Sequence, residues 1–128
     1  MSKRLRFVPF LALVLTSPAF GEGPNQDAQG WISLFDGKTL DGWKVNGGHA
    51  TYSAEDGEIV GRTEEGSPNT FLCTGDYRDF VLELEVRCDP RLNSGIQVRS
   101  HVYGQNEPRP GVVYGPQCEI ARKETGTA

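Results

Sequence analysis

Histidine is scarce in this chain: His49 and His101 are its only two. No H-E-x-x-H occurs, so a catalytic metal held by several histidines has no ligand set here. The P-loop and the dinucleotide glycine fingerprint are missing. So is the G-x-S-x-G nucleophile elbow. Cysteine is sparse and odd in number. Cys73, Cys88 and Cys118 fit no metal spacing, and three thiols form at most one internal bridge. Each sits in a strand-like run, where Cys behaves as a small buried apolar residue. No stretch after residue 21 keeps helical periodicity over three turns, and no repeat occurs. A basic patch is also lacking. The net charge of −4 suits neither nucleic acid nor anionic lipid as a partner.

What is present begins with the leader. "MSKRLR" is basic, "FVPFLALVLTSPAF" is apolar, and Ala19 and Gly21 stand at −3 and −1 of a cleavage site. That pattern predicts a signal peptide over 1–21, cut after Gly21 and not part of the fold. The apolar run is shorter than the roughly 20 residues of a membrane helix, so no membrane anchor is expected after cleavage. Losing Lys3, Arg4 and Arg6 takes the net charge from −4 to −7, which favours solubility. The predicted location is periplasmic or extracellular. Residues 22–30 read as a polar linker, leaving 31–128 as one small domain.

That domain reads as short strands between Gly-rich turns. "WISLFD" and "TFLCT" are strand candidates. "ATYSAEDGEIVGRT" predicts a hairpin on Asp56-Gly57, because a type I′ turn needs positive φ at both central residues. "FVLELEVRC" alternates, with Phe80, Leu82, Leu84, Val86 and Cys88 on one face and Val81, Glu83, Glu85 and Arg87 on the other. Period two over this length predicts a half-buried antiparallel strand. "IQVRSH" and "PQCEIA" are two more, joined by the loop "VYGQNEPRPGVVYG". Many strands without helix predict an all-β sandwich or jelly roll. Trp31, Phe35 and Trp43 are assigned to the core.

Three late strands hold the candidate chemistry. If they lie side by side, Glu83, Glu85 and Arg87 join Gln97, Arg99 and His101, then Gln117 and Glu119. Such a face orients a sugar through amides and guanidinium. It also offers a general base and a site for developing negative charge. The plainer reading of Glu83, Glu85 and Arg87 is a solvated face with cross-strand ion pairs. Tyr103 and Tyr114 sit in the long loop, where an aromatic lip over a groove is expected.

The ordered segments "LFDGKTLDGW", "DGEIVG", "NTFLCT", "DFVLELEVR", "NSGIQVRS" and "VYGPQCEI" resemble the 3-keto-disaccharide hydrolase domain family. The family is also described as 3-keto-glucoside 1,2-lyases and 3-keto-2-hydroxy-glucal hydratases. The resemblance runs from about Gly30 to about Ile120. It implies a concanavalin A-like jelly-roll β-sandwich and a carbohydrate substrate oxidised to a ketone at carbon 3. It implies cleavage by β-elimination and hydration rather than displacement at the anomeric carbon. On the strand faces, Glu119 and His101 are then assigned as catalytic base or acid. Gln97, Arg99, Gln117 and Tyr114 are assigned to substrate binding. A divalent metal on Glu119 and His101 is a further way to polarise the ketone. Family members continue well past "YGPQCEI", so the chain reads as an N-terminal part of the sandwich and the fold as incomplete. The competing functions are a non-catalytic carbohydrate-binding module on the same scaffold and an inactive fragment.

Overall fold

The computed structural model describes residues 4–15, Asp27 and residues 30–120. Every regular element among them is a strand. The Asp56-Gly57 pair makes its turn as the sequence predicts, with φ of 50° and 79°. It joins β4 (Thr51–Glu55) to β5 (Glu58–Arg62), in register from Thr51↔Arg62 to Glu55↔Glu58. Arg62 closes the hairpin, donating to Glu55 at 2.7 Å and to Ser53 at 2.9 Å. The bond to Glu55 raises the Arg62 pKa further.

The run read as a leader is paired in this structure. It was expected to stand outside the fold. In this structure β1 (Arg4–Leu15) is the longest strand. It pairs with β5 through Arg4–Phe7 and with β2 (Trp31–Ser33) through Ala12–Val14. Along its other edge it pairs with β7 (Phe80–Cys88). The register shifts between Val8 and Ala12, around Pro9, which has no N–H to give a ladder. An apolar run of this length supplies what open strands need, a row of backbone donors and acceptors. The cleavage site at Ala19–Gly21 lies outside the described residues, as does most of the linker. Within that linker Asp27 accepts the Trp31 N–H on its side chain at 2.9 Å.

The alternation read in "FVLELEVRC" holds: Phe80, Leu82, Leu84 and Val86 are half-buried, and Glu83, Glu85 and Arg87 are exposed. Three two-stranded ribbons complete the described part. They pair β3 (Lys44–Gly47) with β6 (Thr70–Cys73), β8 (Ser94–Gln97) with β11 (Gln117–Ile120), and β9 (His101–Val102) with β10 (Val113–Tyr114). The sequence reading missed β3. It pairs Lys44 with Cys73 and Val45 with Leu72, partners that only tertiary placement supplies.

The large sheet and the ribbons both contribute to one cleft. Leu82, Leu84 and Ile59 from the large sheet, and Phe71, Ile96 and Gln97 from the ribbons, line this open cleft of about 770 Å³. Because side chains line this space rather than fill it, few are fully covered. Among the described residues only Ile59, Val60 and Val113 are buried hydrophobics. Trp31 and Trp43 are half-buried beside the cleft. Trp43 is pinned by its Nε1–H, which donates to the Leu34 carbonyl at 3.0 Å. In the turn between them Asp36 accepts the N–H groups of Lys38 and Thr39. Those bonds, Thr39 first, hold its pKa below the ordinary carboxylate value.

Candidate functional site

The three late strands do not all lie side by side. β7 belongs to the large sheet through β1, while β8 pairs with β11. The expected face therefore divides. Glu83, Glu85 and Arg87 form an exposed surface on β7, with Arg87 3.5 Å from Glu58. Gln97, Gln117 and Glu119 come together on the β8–β11 ribbon.

"IQVRSH" is not one strand. It breaks after Gln97 because Arg99 takes a left-handed φ of 52°. The registers on either side are Gln97↔Gln117 and His101↔Tyr114. One strand spends one more residue than its partner between those pairs, which is a β-bulge, and the bulge breaks the alternation. Gln97, Arg99 and His101 thus do not share a continuous strand face. Arg99 turns out to the start of β7, 3.5 Å from the Arg78 carbonyl and 3.8 Å from Asp79, with its side chain 66% exposed.

His101 joins an aromatic group on the next ribbon. Its ring lies 5.6 Å from Tyr114, which stacks on Tyr103 at 4.4 Å. The Arg109 guanidinium sits 5.2 Å from the Tyr103 ring centre, a cation–π contact. These four side chains brace the long loop against itself. The expected lip over a groove is thus an exposed packed stack, in which Tyr114 is engaged by two neighbours.

The β8–β11 ribbon carries a directional run of hydrogen bonds. Ser100 Oγ donates to Gln97 Oε1 at 3.0 Å. Gln97 Nε2 donates to Gln117 Oε1 at 3.1 Å. Gln117 Nε2 donates to Glu119 Oε2 at 2.9 Å. Each link settles the orientation of the next amide, since an amide oxygen only accepts and its nitrogen only donates. The run ends on a carboxylate whose second oxygen is uncommitted. Each glutamine also keeps one N–H for another acceptor.

Sequence reasoning missed Ser100, Gly95 and Gly115 here. A side chain on Gly95 would meet Gln117 at 2.5 Å, and one on Gly115 would meet the Ser100 backbone at 2.7 Å. A lone Gly inside a strand signals close approach of another group, and "NSGIQ" carried that signal. Cys118 also departs from expectation. It lies on the ribbon's other face opposite Ile96, but it is exposed rather than buried. All three thiols are free.

Glu119 and His101 fall in different ribbons, and His101 is engaged by Tyr114. Among the described residues no group of three or more His, Cys, Asp or Glu is placed to hold a metal ion. Glu119 and His101, on separate ribbons, are not part of such a group. No helix of the described residues is long and apolar enough to cross a membrane.

These features define an all-strand domain with a hydrogen-bonded amide-and-carboxylate run, of which Gln97 and Gln117 line an open cleft. Residues 30–128 match the pattern of the 3-keto-alpha-glucoside-1,2-lyase-like domain, and the chain belongs to that family. It is 33% identical over 79 residues to a 3-keto-disaccharide hydrolase of Bacteroides thetaiotaomicron. That match covers 55% of this chain and 27% of the relative, so the chain spans about a quarter of the relative's length. No solved structure matches this chain.

Proposed function

We propose that this chain carries part of the site of an exported enzyme that cleaves 3-keto-glycosides by β-elimination and hydration. The hydrogen-bonded run ending on Glu119 is the observation that carries the reading, and family membership supports the substrate class. A ketone at carbon 3 acidifies the hydrogen on carbon 2. Glu119, through its uncommitted oxygen, takes that proton. The electron pair moves onto the ketone oxygen as an enolate, which a free N–H of Gln97 or Gln117 stabilises. Collapse of the enolate expels the group on carbon 1, which leaves with a proton. Water then adds at carbon 1 and a proton returns to carbon 2. The sum is hydrolysis of the glycosidic bond.

The roles divide according to placement. Glu119 is the base, and the two glutamines are the substrate donors. Arg99, His101 and Tyr114 lie outside this run, and the reading gives them no direct step. The basic start and apolar run of residues 1–21 support export to the periplasm or the medium. A trimmed amino terminus, read by mass spectrometry on protein from the cell envelope, checks it.

The enzymatic test is Glu119→Gln with a 4-nitrophenyl 3-keto-α-glucoside as substrate, following nitrophenol release. Loss of a general base lowers turnover by roughly 10²–10⁴-fold, with circular dichroism unchanged. Undiminished turnover in that variant refutes the assignment. Sugar binding without product in the unaltered chain favours a carbohydrate-binding module instead.

A further inference from the structure

We propose that Gly95 is a positioning residue: the side chain it lacks is the space in which Gln117 lies flat and reaches Glu119. The inference rests on the reading of Glu119 as the base. Gly95 stands directly opposite Glu119 in the β8–β11 register. Gln117 is two residues from Glu119 on the same strand face and leans across Gly95. A Cβ at Gly95 would lie 2.5 Å from Gln117 Cγ and Cδ and 2.6 Å from Nε2. That nitrogen is the one that donates to Glu119 Oε2. All three nearest atoms belong to one flexible side chain. An alanine here therefore moves Gln117 and leaves the backbone in place. Gly95 is also not among the residues with positive φ, so alanine meets no conformational barrier.

The arrangement gives the carboxylate an orientation. With Oε2 held by Gln117, Oε1 is the oxygen left to take a proton. With Gln117 displaced, Glu119 rotates freely and the amide run loses its last link. Gly95 thus acts on Glu119 only through Gln117, which makes the proposal separable from general stability.

The experiment compares Gly95→Ala, Gln117→Ala and the double variant in the full chain. Two readouts are taken: the Gln117 side-chain amide resonances by ¹⁵N NMR, and kcat against KM on the 4-nitrophenyl 3-keto-α-glucoside. In Gly95→Ala the Gln117 amide signals shift and its two protons become more alike, as for a solvated amide. Loss of one hydrogen bond to a charged group costs about tenfold in kcat, and because Gln117 is also a substrate donor KM rises in Gly95→Ala to the same extent as in Gln117→Ala. Because both changes break one link, the double variant is no slower than Gln117→Ala alone. Unmoved Gln117 signals in Gly95→Ala overturn the proposal, and so do losses that multiply in the double variant. If Gly95→Ala fails to fold, the double variant, which removes the colliding side chain, folds. Failure of both places the clash elsewhere and overturns the proposal too. An unaltered chain that never turns over the glucoside sinks the functional reading, and the amide signals still decide the positioning.

Discussion

Removing residues 1–21 deprives β7 of its partner. Among the described residues, β7 is held in the large sheet by β1 alone, through eight register pairs from Leu5↔Cys88 to Leu15↔Phe80. An antiparallel ladder averages about one hydrogen bond per residue pair. At roughly 0.5–1.5 kcal/mol net for each bond, the eight pairs contribute on the order of 4–12 kcal/mol. A whole domain of this size is stable by only about 5–15 kcal/mol. The loss is therefore comparable to the total, and β7 cannot keep its place. The β4–β5 hairpin keeps its own register and should survive longer. Hydrogen exchange on the full chain and on a chain lacking residues 1–21 measures this directly. Amides within Phe80–Cys88 should lose most of their protection, while those of Thr51–Arg62 lose less. Equal protection of β7 in both chains refutes the reasoning. A chain that lacks residues 1–21 accordingly leaves the β7 edge that β1 covers unpaired.

Other perturbations probe single features. Gly57→Ala has no atom within 4 Å to strike and faces only the cost of its φ of 79°. That cost is about 1–2 kcal/mol, and at about 4–8 °C per kcal/mol the melting temperature should fall by several degrees. An unchanged melt would count against the turn assignment. Asp36 has a folded pKa below its unfolded one, so its contribution is full above the unfolded value near 4 and is lost as pH falls through the folded value. Asp36→Asn should flatten the acid limb of a stability profile below the unfolded value near 4; an identical limb contradicts the role of the Lys38 and Thr39 amides. Cys118 is exposed and Cys73 and Cys88 are half-buried, and burial, then Asp89, pushes the Cys88 thiol pKa up. Disulfide-exchange labelling at pH 8 should modify Cys118 first and Cys88 slowly; the reverse order would refute the exposure pattern.

Local periodicity made several elements legible. Alternation in Phe80–Cys88 reflects one half-buried face and one exposed face, a property written every second residue. The Asp56-Gly57 turn is equally local, since its demand for positive φ is met by those two residues themselves. The ordered segments from "LFDGKTLDGW" to "VYGPQCEI" were enough to identify the family. Neighbours were not legible, because pairing joins residues far apart in the chain. The sequence could not show that β7 meets β1 rather than β8, and so it overbuilt the candidate face. Nor could it show the left-handed backbone at Arg99, which depends on the bulge against Tyr114–Gln117. That bulge divides Gln97 from His101, where alternation alone had joined them. Gln97, Gln117 and Glu119 were named from their types and strand positions. Their assembly into one directional run was decided by the β8–β11 register and by the empty space at Gly95, which only the folded chain defines.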